Sequence, residues 1–418
     1  MKFKKQILQS TRIEKISYWL FFLMTFSAIV PLYFEQFSHI GGGIFVVVLT
    51  FLSWLYWGEK RPLNRIERGW VFTCLFYAGV FIASFLWHTP YTPDGEWRLS
   101  SIGFIILLVP WFILVIKLDY GRKALEVIAL TSLLTASVVF LIEISEIASL
   151  GSYRFGVVYD IGRIGFIVPM TAILCGILWM QKRNKIYFVF LLFAFFLAVL
   201  NGSRTALVLL LIPVVIVGLY SLFLDKGLTT FKKVQSLFIV LILVAASGWI
   251  MKDKIVTTFS AFQTMQEGNY SSSLGQRFAM LDVGSGLAKN HVVFGVGPNF
   301  YKEKIKESAL SSNYSGNVKR YIYSPTHLHN QFLMDLILSG ALGLISLLLL
   351  IGYPFRVFYN AYKSGYKVEA VAAMGLMIGL WIVLFFGALF TYTYTTIFYI
   401  LAMGALISYF SQKEELKE

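Results

Sequence analysis

Long apolar runs recur along this chain, many of about 17 to 20 residues, which is the length that an α-helix needs to cross the apolar core of a bilayer. Hydrophobic residues make up 57% of the 418 residues and charged residues only 14%, whereas soluble domains carry about 25% charged residues. The sequence therefore predicts an all-α polytopic membrane protein.

Twelve membrane spans are predicted. They cover approximately residues 16–33, 40–57, 70–87, 101–116, 125–147, 164–180, 186–200, 205–224, 234–251, 332–353, 370–390 and 393–410. The connections are short except for an 80-residue polar insert between the ninth and tenth spans. The chain thus divides into residues 1–251 with nine spans, the insert 252–331, and residues 332–418 with the last three spans.

The distribution of cations predicts the orientation. Of the 36 Lys and Arg residues, 23 lie in alternate short segments that start with the N-terminal one, four lie in the short segments of the opposite side, and nine lie in the insert. Because short cytoplasmic segments are enriched in Lys and Arg, we expect both termini in the cytoplasm and the insert on the outer face. The net charge of +14 is then mostly a topological signal and does not indicate nucleic-acid binding.

The insert is predicted to fold into two or three short helices at the membrane surface. Leu274, Phe278 and Leu281 recur at helical spacing after the possible caps 271–273. Pro298 stands at a second predicted helix start, before a charged helical run.

Cations placed on the outer side against this bias are candidate site residues. Arg204 opens the eighth span directly after Gly202 and Ser203, and a helix start with a neighbouring Arg can bind an anion. An arginine that extends toward lipid phosphates explains the same pattern.

Three further arginines share this uncertainty. Arg277 lies on the first predicted helix of the insert and is either an anion ligand or a solvated surface charge. Arg154 and Arg163 flank the start of the sixth span, where either can form an ion pair with Asp160.

Two of the five histidines, His327 and His329, stand at the start of the tenth span. A zinc pair would need a third protein ligand, and the acid that follows, Asp335, is six residues past His329, about 9 Å along a helix. The sequence therefore predicts no metal site and no cofactor. One histidine can act as a base or a hydrogen-bond partner, or a histidine can cap the helix that begins near Asn330.

Together these residues favour chemistry on an activated, lipid-linked donor. No nucleoside triphosphate is available for a group-transfer reaction on the outer face of the membrane. Arginines can neutralise a diphosphate leaving group there in place of Mg²⁺.

The chain resembles the O-antigen ligases, a family related to O-antigen polymerases and O-linked oligosaccharyltransferases. The most specific match is His329-Asn330, followed after nine residues by Gly340 and after two more by Gly343. The segments around Arg204, "SLGQRFAM" around Arg277 and "GVGPNF" at 295–300 are also similar to the family.

The resemblance implies a GT-C-type glycosyltransferase of a Gram-negative inner membrane, with its site facing the periplasm. It would transfer O-antigen polysaccharide from undecaprenyl diphosphate to a sugar of lipid A–core, without metal and with inversion at the anomeric carbon. Arg204 and Arg277 would hold the diphosphate, and His329 would orient or deprotonate the acceptor hydroxyl. The residues expected to support substrate binding are Arg154, Arg163, His327, Asn330 and Ser203.

Three alternatives remain open at this point. An O-antigen polymerase or a protein O-oligosaccharyltransferase would use the same donor with another acceptor. A lipid-diphosphate or polysaccharide transporter predicts charges near the middle of the membrane and internal repeats, which the sequence does not show.

Overall fold

The structure of the protein is a computed structural model. It describes residues 11–33, 38–56, 62–90, 92, 96–150, 155–156, 160–225, 227, 229–325 and 327–415. Over these residues the chain is helical, without strands. In chain order the α-helices are α1 Thr11–Ile29, α2 Ser38–Tyr56, α3 Arg65–Trp87, α4 Glu96–Lys117, α5 Gly121–Leu150, α6 Ile161–Lys182, α7 Lys185–Asn201, α8 Arg204–Phe223, α9 Thr230–Gln266, α10 Ser273–Asn290, α11 Tyr301–Ser311, α12 Gly316–Tyr323, α13 Gln331–Lys363, α14 Lys367–Phe386 and α15 Thr393–Glu415.

Nine helices of the described part are long and apolar enough to cross a membrane, so the chain is a multi-pass membrane protein. They are α1, α3, α4, α5, α6, α8, α13, α14 and α15. The other three predicted spans fall on shorter apolar helical stretches, at Ile44–Ser53, Lys185–Asn201 and Lys233–Trp249. The count of twelve spans stays a prediction.

Two helices are enclosed by the others. Of the membrane-spanning stretch of α6, 83% of the residues are buried, and of that of α15, 89% are buried. Helix α15 packs against α4 and α5, while α6 packs against α7 and α8. Both begin at the end of the bundle that carries the insert, at Ile161 and Thr393, so side chains at these two starts belong to the two most buried spans of the described part.

The insert is helical, as predicted, and its first part continues the helix that carries the ninth predicted span. Helix α9 runs through the predicted boundary at residue 252 as far as Gln266. Helices α10, α11 and α12 then pack against one another, and α10 also packs against α13. Ser272 caps α10 by accepting a hydrogen bond from Gly275 N, in agreement with the predicted cap. The buried face of α10 is built mainly from small residues, whereas Phe278 is 42% exposed.

A break in α13 anchors the insert to the bundle. Ser339 and Gly340 leave the helical conformation, and Gly340 has a φ of +64°. A Cβ at Gly340 would collide with the carbonyl of Val293. The released carbonyl of Ile337 accepts from Val296 N at 2.7 Å, and that of Leu338 accepts from the Ser84 hydroxyl at 2.7 Å. The "GVGPNF" segment is therefore a turn that docks into this break.

Candidate active site

The turn before α13 sets the direction of both histidines. His329 has a φ of +52°, a left-handed conformation that is uncommon for residues other than glycine. Asn330 caps α13: its side-chain oxygen accepts from Leu333 N at 2.8 Å, and its amide donates to Phe385 O at 3.1 Å. The alternative that a histidine caps this helix is therefore wrong. The imidazoles are left free for another role.

Helix α10 brings Arg277 to the same place. Gly284 lies two turns after Arg277 on the same face of the helix. A Cβ at Gly284 would lie 2.6 Å from a Leu328 methyl and 3.0 Å from a Leu333 methyl. This close approach holds the Arg277 face of α10 against the histidine turn.

The two imidazoles form a compact, neutral pair. The ring centroids of His327 and His329 are 4.4 Å apart, and His327 is only 6% exposed. Burial, together with the Arg277 charge, lowers the pKa of His327 to about 4. Burial, His327 and Arg277 lower the pKa of His329 to about 3. Because burial and nearby cations disfavour a charged ring, both imidazoles are uncharged at neutral pH.

Tyr392 extends this pair on the side of α15. Its ring centroid lies 5.2 Å from that of His327, and its hydroxyl oxygen lies 3.5 Å from both ring nitrogens. Burial and the Asp160 charge raise the pKa of this hydroxyl. Tyr392 therefore stays protonated and can donate a hydrogen bond.

Tyr394 and Arg163 complete the arrangement. The rings of Tyr392 and Tyr394 stack at 5.2 Å, and the Tyr394 hydroxyl donates to Asp160 Oδ2 at 3.1 Å. The Arg163 guanidinium carbon lies 4.3 Å from the Tyr394 ring centroid. We call this set the Arg–His–Tyr row. It consists of Arg277, whose charge acts on both histidines, and of the contacting side chains His329, His327, Tyr392, Tyr394 and Arg163.

Both arginines of the row carry a buried donor without an acceptor. The Nε atoms of Arg163 and Arg277 are buried and meet no hydrogen-bond partner among the described residues. Arg163 Nε is 4.0 Å from Asp160 Oδ2, which is too long for a hydrogen bond. The expected Asp160 ion pair is therefore a long contact, and Asp160 instead caps α6 through Gly162 N and Arg163 N. Buried polar groups are normally satisfied, so an anion bound beside either arginine would supply the missing acceptor at that end of the row.

An apolar cavity opens beside the Arg163 end of the row. Its volume is about 200 Å³, and Arg163, Thr393 and Tyr394 provide its polar wall. The remaining lining comes from α1, α2, α4, α15 and the turn after α1, through Ser27, Ala28, Pro31, Leu32, Gly42, Phe45, Phe104, Leu108 and Ile397. A cationic group at the edge of an apolar cavity suits an amphiphile with an anionic head.

Part of the chain matches a known protein family. Residues 188–348, which run from α7 into α13, match the model of the O-antigen ligase family. This segment belongs to the O-antigen ligase family. It contains Arg277, His327 and His329, so the resemblance seen in the sequence is confirmed over this part of the chain. The family indicates ligase- or polymerase-type glycosyl transfer with lipid-linked polysaccharide substrates.

A relative extends the likeness beyond the family segment. An uncharacterised protein of Haemophilus influenzae is 21% identical over 341 residues, which cover 79% of this chain and 84% of the relative. The similarity therefore reaches beyond the matched segment, and no activity is assigned to this relative.

Within the O-antigen ligase segment, Arg204 occupies a different environment from Arg277. It is the first residue of α8, as predicted, and Ser203 caps that helix by accepting from Ala206 N at 3.0 Å. Asn201 ties the turn to the start of α6 through donations to Phe155 O and Ile161 O. The Arg204 side chain is exposed and makes no hydrogen bond or ion pair within the described part of the chain. It thus shares one end of the bundle with Arg163 but forms no hydrogen bond or ion pair with the described residues of the row.

Other expected residues are only partly accounted for. Arg154 lies outside the described residues. Ser203 and Asn330 both act as helix caps, and a role for either in binding substrate stays a prediction. The pattern glycine Gly340 belongs to the break in α13, and a Cβ at Gly343 would collide with the Asp335 carbonyl, so these glycines shape the backbone.

Asp335 is engaged in a buried network. It accepts from the Tyr77 hydroxyl at 2.8 Å and from Gln331 Nε2 at 2.7 Å, while Gln331 Oε1 accepts from Phe390 N at 2.8 Å. The network ties the turn that carries Tyr392 to α13 and α3. No group of three or more His, Cys, Asp or Glu suited to a metal occurs among the described residues.

Sequence reasoning missed the two tyrosines of the row. They lie in "YTYTT", residues 392–396, at the boundary of the last span. Polar aromatic residues there resemble an ordinary interfacial belt, and their distance in sequence from His327 hid the contact. The available signal was the density of hydroxyl groups at one span start on the insert side.

Proposed function

We propose that this protein is an O-antigen ligase that transfers O-antigen polysaccharide from undecaprenyl diphosphate to a sugar of lipid A–core. The reaction takes place on the periplasmic face of a Gram-negative inner membrane, by a metal-independent, inverting, GT-C-type transfer. The observation that carries the proposal is the pair of buried, unsatisfied arginine donors at the two ends of a row of neutral histidines and tyrosines.

The arginines hold the diphosphate of the donor. Arg277 is the principal ligand because its buried Nε meets no acceptor among the described residues and its charge acts on the histidines. Arg163 adds a second guanidinium, and Arg204 contributes charge at the same end of the bundle. Arg154 is expected to support binding, as the resemblance to the family implies. Guanidinium groups form paired hydrogen bonds to phosphate oxygens, and this neutralises the charge that develops as the diphosphate leaves.

His329 handles the proton of the acceptor. The acceptor hydroxyl oxygen forms a bond to the anomeric carbon while the bond from that carbon to the diphosphate oxygen breaks. The electron pair of the broken bond leaves on undecaprenyl diphosphate, and the hydroxyl proton passes to the His329 imidazole. Its lowered pKa keeps that imidazole free of a proton before the reaction, and His327 supports it by ring contact and with Tyr392.

The apolar cavity beside Arg163 accepts the first part of the isoprenoid chain. Its walls are apolar except at Arg163, Thr393, Tyr394 and Ser27, whose hydroxyl is bonded to Met24 O. An anionic head at the row and an apolar tail in the cavity are therefore both satisfied. The remainder of the chain lies in the surrounding lipid.

A reconstituted transfer assay tests the proposal. Purified protein is given a lipid-linked polysaccharide donor with one of three acceptors: lipid A–core, a second lipid-linked repeat unit, or a Ser/Thr-containing protein. We expect transfer to lipid A–core, unchanged by EDTA. Transfer to the repeat unit or to protein alone would instead identify a polymerase or an oligosaccharyltransferase. Movement of intact donor across a vesicle membrane without bond cleavage would identify a transporter, and recovery of a chelated enzyme by Mg²⁺, Mn²⁺ or Zn²⁺ would contradict the arginine mechanism.

A further inference from the structure

A second, polar cleft lies within the insert. It has a volume of about 740 Å³, in the range of binding sites for small molecules. It lies between the turn after α9, the outer side of α10 and the α11–α12 connection. Its lining residues are Gly268, Asn269, Tyr270, Asp282, Ser312, Asn313, Tyr314, Ser315 and Val318.

Two tyrosines and one carboxylate form the wall of this cleft. The rings of Tyr270 and Tyr314 meet edge to face with centroids 5.0 Å apart. The Tyr314 hydroxyl donates to Asp282 Oδ2 at 2.9 Å, and burial together with Asp282 raises the pKa of that hydroxyl. The hydroxyl therefore stays protonated, and Asp282 Oδ1 has no hydrogen-bond donor within the described part of the chain.

Side-chain amides add further unused hydrogen-bonding groups. Asn269 Oδ1 accepts from both Ser271 N and the Ser271 hydroxyl, which leaves the Asn269 amide nitrogen without an acceptor among the residues described. Asn313 is exposed and makes no side-chain hydrogen bond in the same part of the chain. Amides, hydroxyls, aromatic rings and one carboxylate are complementary to a neutral, hydroxyl-rich ligand.

The charge of the cleft argues against an anionic ligand. Asp282 is the charged member of the lining, and no Lys or Arg belongs to it. A phosphate group would meet this carboxylate without a compensating cation, whereas sugar hydroxyls can donate to it in strong, charge-assisted hydrogen bonds.

The cleft is separate from the Arg–His–Tyr row. Asp282 follows Arg277 by five residues on α10, which is about 7.5 Å along the axis and about 140° around it. A ligand in the cleft therefore lies on another side of α10 from the histidines. A glycan chain can reach both places only if it continues around the start of α10.

We propose that this cleft binds neutral sugar units of a glycan chain at a distance from the sugar that reacts. The inference rests on the proposed function for the source of the glycan, which is either the donor polysaccharide or the acceptor core. The chemistry of recognition is the same for both: ring faces against Tyr270 and Tyr314, and hydroxyls to Asp282 and the amides.

Direct binding is measured by saturation-transfer NMR on the full-length protein in nanodiscs. The probes are O-polysaccharide released from its lipid and core oligosaccharide freed of lipid A, both from the source bacterium. We expect Asp282→Asn and Tyr270→Ala to weaken binding of one probe by about tenfold, because each removes a charged hydrogen-bond partner or a ring face. Tyr314→Phe, which keeps the ring, should weaken binding less.

Glu307→Gln is the matched control. Glu307 is an exposed carboxylate of the insert, paired with Lys304 at 2.9 Å and outside the cleft, so its loss should not change binding. In the transfer assay, the cleft variants should raise KM for long glycans on the donor or on the acceptor, with kcat unchanged. The substrate whose KM rises is the one that supplies the glycan bound in the cleft.

Saccharide binding to the cleft does not require glycan transfer. If the protein bound the saccharide probes but transferred no glycan to any acceptor, the proposed function would be overturned and the cleft assignment would stand. Equal binding by wild type, Asp282→Asn and Tyr270→Ala, or binding by none of them, would overturn the cleft assignment.

Discussion

The Arg–His–Tyr row and the turn at residues 201–204 lie at the same end of the bundle but differ in how their polar groups are hydrogen-bonded. In the turn, Asn201 and Ser203 satisfy the backbone around them, and Arg204 extends to the exterior. In the row, the arginine Nε atoms are buried and meet no acceptor in the part of the chain that the structure describes. The difference separates a scaffold, whose polar groups are already paired, from a binding site, whose groups are paired only when the ligand arrives.

Replacing His329 should produce the largest effect on the row. Asparagine tolerates the left-handed backbone that His329 adopts, so His329→Asn removes the imidazole and retains the turn. We expect transfer to fall about 10²- to 10⁴-fold, as on loss of a general base, in assays with equal amounts of folded protein. His327→Asn should cost less.

His291→Asn is the matched control for this experiment. His291 ends α10 and bonds Leu287 O through its ring at 3.0 Å, away from the row, so transfer should remain close to that of wild type. Near-normal turnover by His329→Asn would remove the histidine from the mechanism.

Arginine substitutions compare the two regions directly. Lysine keeps the charge but loses the paired geometry of guanidinium. We expect Arg277→Lys and Arg163→Lys to lower kcat by about 10²-fold, in the range seen on removal of one charge-stabilising donor. Arg204→Lys should also lower activity, but by less than about tenfold, because its side chain is exposed and long-range charge is screened there. A larger loss at Arg204 than at Arg277 would reverse the comparison.

The pH dependence sharpens the contrast between a buried and an ordinary histidine. The pKa values of His327 and His329 are lowered to about 4 and about 3, so both rings are already neutral above about pH 5. We therefore expect that protonation of these rings causes no fall in kcat/KM between about pH 8 and pH 5.5. A fall in kcat/KM with a midpoint near 6.5, the usual value, would indicate a solvated base.

Folding stability should follow the same two groups. Since their folded pKa values lie below the unfolded value, their contribution to stability is complete above about pH 6.5 and is lost as the pH falls toward 4. Thermal unfolding between pH 7 and pH 4.5 measures this loss, and His291→Asn, which keeps both rings, should lose stability to the same extent.

Much of the fold could be predicted from sequence because its dominant constraint is local. Apolar runs of spanning length predicted the helices, and the residue types at 202–203 and 271–273 predicted two helix starts. The break at Gly340 could be matched to a pattern but not explained, since it depends on the docking of residues 292–296 far away in sequence. Similarly, Arg277 and His329 were identified by motif, whereas Tyr392 and Tyr394 join them only through the packing of α15 against the rest of the bundle.

The smallest effect is expected at Asn330, which tests whether a residue next to the base belongs to the scaffold. Its side chain is already paired with Leu333 N and Phe385 O, so Asn330→Ala should lose a helix cap, at a cost of about 1 kcal/mol of stability. Asn184→Ala removes the equivalent cap of α7, where Asn184 accepts from Ile186 N at 3.0 Å, and should lower the melting temperature similarly. Asn330→Ser restores a capping oxygen and should therefore recover stability with nearly normal transfer per folded molecule. If Asn330→Ser instead lost transfer as severely as His329→Asn while remaining folded, the amide would have to contact substrate, and satisfied polar groups could no longer be assigned to the scaffold.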